Sequence, residues 1–237
     1  MVVSPARGVL RGECLVAHDR VAELPFSDRH AAGAALAAVL LEHPEVISDD
    51  PVVVALPRGG VPVAAEVARA IGAPLDIIVV RKLGAPGRPE LAMGAIGEGG
   101  VKVLERDVLA HWPVTEEQLA AVEARETNEL QLRAERLRAG RARVPLDGRA
   151  VIVVDDGLAT GSTARAAIDV ARAAGASRVV LAVPVAPSST VTELSSVADA
   201  VVCVATPWPF AAIGQWYRDF SATTDDEVVT LLDRFET

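Results

Sequence analysis

Apolar residues in this chain fall into short unbroken runs separated by longer stretches of helical period. Five runs are rich in valine and isoleucine: Val52 to Leu56, Leu75 to Val80, Val151 to Val154, Arg178 to Val183 and Ala200 to Val204. Runs of this length without polar alternation read as strands buried on both faces, the pattern of a parallel sheet. Helix signals lie between them. Ala31, Ala35, Leu36, Val39 and Leu40 give an apolar face over about Ser27 to Glu42, with Ser27 or Asp28 as the cap. Val63 to Ile71, Ala164 to about Ala174, Thr190 to Val197 and Asp225 to Phe235 read as further helices, the second stopped by Gly175. The longest runs from Thr115 to Arg138, opened by a capping box of Thr115 and Gln118. Its apolar face is patchy, and its many Glu and Arg residues read as a solvated face. It also offers a contact for a homodimer. Strands alternating with helices predict an α/β fold with a mostly parallel central sheet and helices on both faces.

Three regions depart from this alternation. Residues 1–25 read as an N-terminal extension with one short strand, Glu13 to Val16, ahead of a domain spanning residues 26–237. Gly84 to Gly100 holds six glycines and two prolines. That stretch is too glycine-rich to pack, so residues 84–104 are expected to form a flexible lid, with Met93 to Gly97 and Val101 to Leu104 paired as a hairpin at its base. The last segment, 206–237, carries six of the chain's eight aromatic residues.

At 237 residues the chain suits one α/β domain with a small appendage. A net charge of −9 argues against a nucleic-acid partner, though a nucleotide-like ligand can be met locally by loops and cations. Cys14 and Cys203 give no disulfide framework, and the four histidines have no metal-ligand spacing. No apolar run is long enough to cross a bilayer and no signal-peptide core is present, so no membrane partner and a cytoplasmic location are expected.

The candidate chemistry centres on the run Val151 to Val154 and the loop after it, Asp155-Asp156-Gly157-Leu158-Ala159-Thr160-Gly161-Ser162-Thr163. Gly157 and Gly161 permit a tight turn and a close approach to a ligand. The amides of Thr160 to Thr163 would open a helix, where an anion is favoured, and three hydroxyls add donors. The two carboxylates suit sugar hydroxyls or a hydrated Mg²⁺. A phosphate beside a diol beside a metal describes a phosphorylated ribose. A Walker A loop is excluded because no lysine follows Gly161, and no Gly-X-Ser-X-Gly elbow of an α/β hydrolase occurs. A second strand–turn–helix, Pro57-Arg58-Gly59-Gly60-Val61-Pro62, has the same build and adds a guanidinium. Arg81 and Lys82 follow the third apolar run, at the strand end where open α/β sheets bind ligands.

The segment from Val151 to Thr163 resembles the phosphoribosyl pyrophosphate (PRPP) motif of the type I phosphoribosyltransferases. The stretches Phe26 to Gly33 and Tyr217-Arg218-Asp219-Phe220 are similar to a branch of predicted phosphoribosyltransferases. The resemblance implies a Rossmann-like sheet with a small hood, formed here by 206–237. It implies that Asp155 and Asp156 bind the ribose, directly or with Mg²⁺, and that Ala159, Thr160, Gly161, Ser162 and Thr163 bind the 5-phosphate. Arg58, Gly59, Gly60, Arg81 and Lys82 would meet pyrophosphate, with Lys82 also placed among the catalytic groups beside Asp155 and Asp156. A non-proline cis bond is implied near Pro57-Arg58 or Arg58-Gly59. Trp208, Phe210, Trp216 and Tyr217 are candidates for stacking on an acceptor base. The implied reaction moves the phosphoribosyl group to a nitrogen nucleophile such as a nucleobase and releases pyrophosphate. Ala159 stands where enzymes for 6-oxopurines carry an aspartate, so the acceptor is left open. The alternative is a PRPP-sensing regulator of the same fold.

Overall fold

The computed structural model describes residues 13–16, 23–47, 50–112 and 114–235. Most of the expected N-terminal extension lies outside the described residues. Its one strand, β1 (Glu13–Val16), is described and pairs with the last strand of the main sheet. That sheet has six parallel strands in the order β1-β9-β8-β7-β2-β3, with β2 Pro51–Ala55, β3 Leu75–Ile77, β7 Ala150–Val154, β8 Arg178–Val185 and β9 Ala200–Ala205.

Valines alternate between two cores. Val53, Ala55, Ile152 and Val154 face one layer, packed with helices α1 (Arg29–Glu42), α2 (Gly60–Ile71) and α7 (Asp225–Asp233). Val52, Val54, Val151 and Val153 face the other, under α5 (Ser162–Ala173) and α6 (Ser188–Ser195). Each such valine or isoleucine contributes about 1.5–3 kcal/mol on burial, which is why uniformly apolar runs become central strands. Asp28 caps α1 by accepting from the Ala31 amide at 2.8 Å. Thr115 and Gln118 form the expected capping box of α4 (Glu116–Arg138). A short helix, α3 (Arg106–His111), has no counterpart in the sequence-based expectation.

The third apolar run behaves differently from the others. Only Leu75–Ile77 joins the sheet, at its edge. Arg138 donates to Asp76 Oδ1 at 2.8 Å and to the Ile77 carbonyl at 2.9 Å along this edge. The chain then turns into a separate antiparallel sheet, β4 (Val80–Ala85), β5 (Arg88–Gly97) and β6 (Lys102–Leu104). Arg81 and Lys82 therefore sit inside a hairpin and not at the carboxyl end of a central strand. The hairpin base is paired as expected, Gly94 with Leu104 and Ile96 with Lys102. Within residues 84–104, Gly87, Gly99 and Gly100 take positive φ at turns, whereas Gly84, Gly94 and Gly97 are closely packed. A Cβ on Gly94 would lie 2.2 Å from the Val103 carbonyl oxygen, and one on Gly97 would lie 2.2 Å from Val170 Cγ1 of α5.

Strand order reverses between β2 and β7. β3 lies to one side of this pair, β8 and β9 to the other, and β2 and β7 are hydrogen-bonded neighbours. Both glycine turns leave the sheet side by side at this reversal, where open α/β sheets form a ligand crevice.

Candidate active site

The turn after β7 and the turn after β2 touch. A Cβ on Gly59 would lie 2.0 Å from Asp156 Oδ2, and one on Gly60 would lie 2.8 Å from the Val154 carbonyl oxygen. Only hydrogen at these two positions lets the Arg58–Gly60 loop close onto the acidic pair. The Pro57–Arg58 peptide is cis, one of the two places expected.

The two aspartates have different surroundings. Asp156 is buried, and Arg29 Nε donates to its Oδ2 at 2.7 Å. Arg29 is itself fixed by donating to the Ser221 carbonyl at 2.7 Å and by lying 4.0 Å from the Phe220 ring centroid. Tyr217 donates its hydroxyl to the Asp156 carbonyl at 2.5 Å. Asp155 is half-buried, and its Oδ1 accepts from the Asp156 amide at 2.9 Å. Burial first, and the neighbouring Asp156 charge second, push Asp155 well above the ordinary carboxylate range. Burial also raises Asp156, against the opposing pull of Arg29. A pair raised in this way favours partners that satisfy oxygen ligands: hydroxyl donors or a cation.

Beyond the pair, Gly161 takes a left-handed conformation, φ 70°, and starts α5 with no side-chain cap. The first amides of α5 are thus left for a ligand. Lys82 Nζ donates to Ser162 Oγ at 2.7 Å, and Thr160 and Ser162 hydroxyls lie 3.2 Å apart. Thr190 holds the loop by donating to the Ala159 carbonyl at 2.8 Å. Lys82 is thereby placed at the helix opening. Arg81, on the opposite side of the same strand, pairs with Glu126 of α4 at 2.6 Å. Arg58 pairs with Asp225 of α7 at 3.2 Å.

The aromatic candidates separate. Trp208 is 91% exposed. Phe210 and Trp216 pack on each other with centroids 6.0 Å apart. Tyr217 is 5% exposed, its ring flanked by Phe26 at 5.7 Å and Phe220 at 5.0 Å. Tyr217 is thus the most buried of the four aromatic candidates, and its hydroxyl is engaged by the Asp156 carbonyl. The two outlying stretches, Phe26 to Arg29 and Tyr217 to Phe220, meet across Asp156 through a parallel bridge between Phe26 and Tyr217. Their roles escape sequence reasoning because they lie toward opposite ends of the chain. Arg133 of α4, whose Nη2 donates to the Pro57 carbonyl at 3.0 Å, likewise has no counterpart in the sequence-based expectation. Its only sequence signal is its place seven residues after Glu126.

Adjacent turns at a strand reversal, one acidic and one rich in glycine, form a crevice where open α/β sheets bind ligands. A family model described as a phosphoribosyl transferase domain matches residues 28–215. The chain belongs to the phosphoribosyl transferase domain family. Two proteins from Mycobacterium tuberculosis strains CDC 1551 and H37Rv, named provisionally as phosphoribosyl transferases, are 55% identical to it over 209 residues. That match covers 88% of this chain and 46% of theirs, so the chain spans about half the length of these curated relatives. The crystal structure of TT1426 from Thermus thermophilus is 45% identical with a TM-score of 0.82, covering 90% of this chain and 99% of that one.

Proposed function

We propose that this chain transfers the 5-phosphoribosyl group of PRPP to a nitrogen nucleophile of the nucleobase class and releases pyrophosphate. The observation that carries the reading is the contact of Asp156 with Gly59 and the uncapped start of α5 a few residues on. On this reading three subsites lie in a row. The α5 amides, the hydroxyls of Thr160, Ser162 and Thr163, and Lys82 bind the 5-phosphate. Asp155 accepts from the ribose hydroxyls while Asp156, anchored by Arg29, holds the loop in place. Arg58, Gly59 and Gly60 receive pyrophosphate, with Arg81 available once Glu126 releases it. The protein's contribution is to align C1 with the acceptor and to stabilise the departing charge.

The donor set suits magnesium. Among the described residues no group of three or more His, Cys, Asp or Glu could hold a metal alone. Two carboxylates with substrate oxygens are the usual way such an ion is held. Bound there by Asp155, and by Asp156 directly or through water, magnesium would neutralise part of the phosphate charge.

Ala159, an exposed methyl in the phosphate loop, brings no acid or base to the acceptor. That favours a second reading, a PRPP sensor with little turnover. The test is pyrophosphate release from PRPP and Mg²⁺ across purines, pyrimidines and small amines. Acceptor-dependent release that is lost in Asp155→Asn supports the transferase. PRPP binding without release by any acceptor supports the sensor, and failure to bind PRPP refutes both.

A further inference from the structure

Along α4, Glu126, Leu130, Arg133 and Leu137 recur at spacings of four, three and four, one row on one helix face. Glu126, Leu130 and Leu137 are buried, and Arg133 lies exposed at the margin of this face. Glu126 is engaged by Arg81 and by Arg125. Arg133, two turns further on, reaches the Pro57 carbonyl at 3.0 Å, inside the loop assigned to pyrophosphate.

The cations around this loop are not equivalent. Arg58 and Arg136 share Asp225, at 3.2 and 2.5 Å. Arg81 has Glu126 at 2.6 Å. Among the described residues Arg133 pairs with no carboxylate. Desolvation and the charges of Arg81 and Arg58 hold its pKa below the usual arginine value. The Asp225 charge offsets part of this repulsion, and a further anion among the guanidiniums would offset more. A cavity of about 380 Å³ opens among Arg58, Glu129, Arg133, Arg136 and Asp225.

We propose that Arg133 is a further cation of the pyrophosphate subsite, held by the Pro57 carbonyl so that its remaining N–H groups grip the terminal phosphate of PRPP. The inference rests on the PRPP reading of the site. A planar fork of donors suits two phosphate oxygens at once, which a lysine cannot match. Placed on a helix, Arg133 is held more firmly than a cation on a loop.

Calorimetric titration of the wild type, Arg133→Met and Arg133→Lys tests it, with Mg²⁺–PRPP, Mg²⁺–pyrophosphate and ribose 5-phosphate as ligands. Arg133→Met is expected to weaken PRPP and pyrophosphate about 10- to 100-fold, the scale of a lost charge-assisted hydrogen bond. Ribose 5-phosphate binding stays unchanged. Arg133→Lys recovers part of the loss, because the charge remains and the fork does not. Wild-type pyrophosphate affinity in a folded Arg133→Met would overturn the inference and leave the PRPP site standing. Equal weakening of all three ligands would also overturn it, since that marks a general structural role. If Arg133→Met does not fold, Arg133→Lys carries the same comparison. A wild type that binds neither PRPP nor ribose 5-phosphate would sink the site reading, and this inference with it.

Discussion

Removing Arg29 and neutralising Asp156 break the same ion pair, yet their effects on stability differ. Both side chains are 11% exposed, and the Nε–Oδ2 distance is 2.7 Å. Arg29→Met leaves a buried carboxylate with no counter-ion and also removes the bond to Ser221 and the contact with Phe220. Losing one partner of a buried pair costs about 3–5 kcal/mol. Asp156→Asn keeps an oxygen for Arg29 Nε and removes a charge whose pKa burial has already raised. A neutral hydrogen bond then replaces a charged one, a loss of about 1–2 kcal/mol. In the Arg29→Met background, Asp156→Asn becomes stabilising, because the stranded charge is gone. Urea unfolding at about pH 7.5 of the wild type, both single variants and the double variant measures all of this. Equal losses in the two single variants, or a loss below about 1 kcal/mol for Arg29→Met, would place the pair in the class of exposed ion pairs and refute the reasoning.

Other consequences are simpler to measure. Gly97→Ala drives a methyl into Val170 and is expected to lower stability by about 1–3 kcal/mol, with Val170→Ala in the same chain restoring part of it; no recovery in the melting temperature of the double variant would contradict the packing of β5 on α5. Cys203 is buried and its thiol is pushed up to about 12, mainly by burial, so a thiol reagent at about pH 8 should label the exposed Cys14 and spare Cys203 until the protein unfolds. Tyr217, the chain's single tyrosine, has its phenol pKa raised by burial and by Asp156. The unfolded chain releases that proton near the ordinary value of about 10 and the folded chain does not, so stability falls as pH rises above about 10. Phenolate absorbance appearing well before unfolding would show that the ring is not sealed as described.

The sequence by itself determined the central strands, the capped long helix and the two glycine turns. These are written in neighbouring residues: unbroken valine runs, a Thr115–Gln118 box, and a strand running directly into Asp155-Asp156 or Arg58-Gly59-Gly60. Local pattern suffices there because burial on both faces and helix capping act within a few residues. Tertiary structure decided everything that depends on which distant groups meet. The third apolar run leaves the sheet after Ile77 because its partner strand β2 ends at Ala55. Gly94 and Gly97 look like freedom in the sequence and act as clearance, because the Val103 carbonyl and Val170 fill the space a side chain would need. The same holds for the polar groups. Asp155 and Asp156 are adjacent and chemically identical in the sequence, and only the arrival of Arg29, Tyr217 and Gly59 ties Asp156 in place and leaves Asp155 without a counter-ion at bonding distance among the described residues. Arg133 reaches the Pro57 carbonyl for the same reason: helix period sets its face, but only the docking of α4 sets what that face meets.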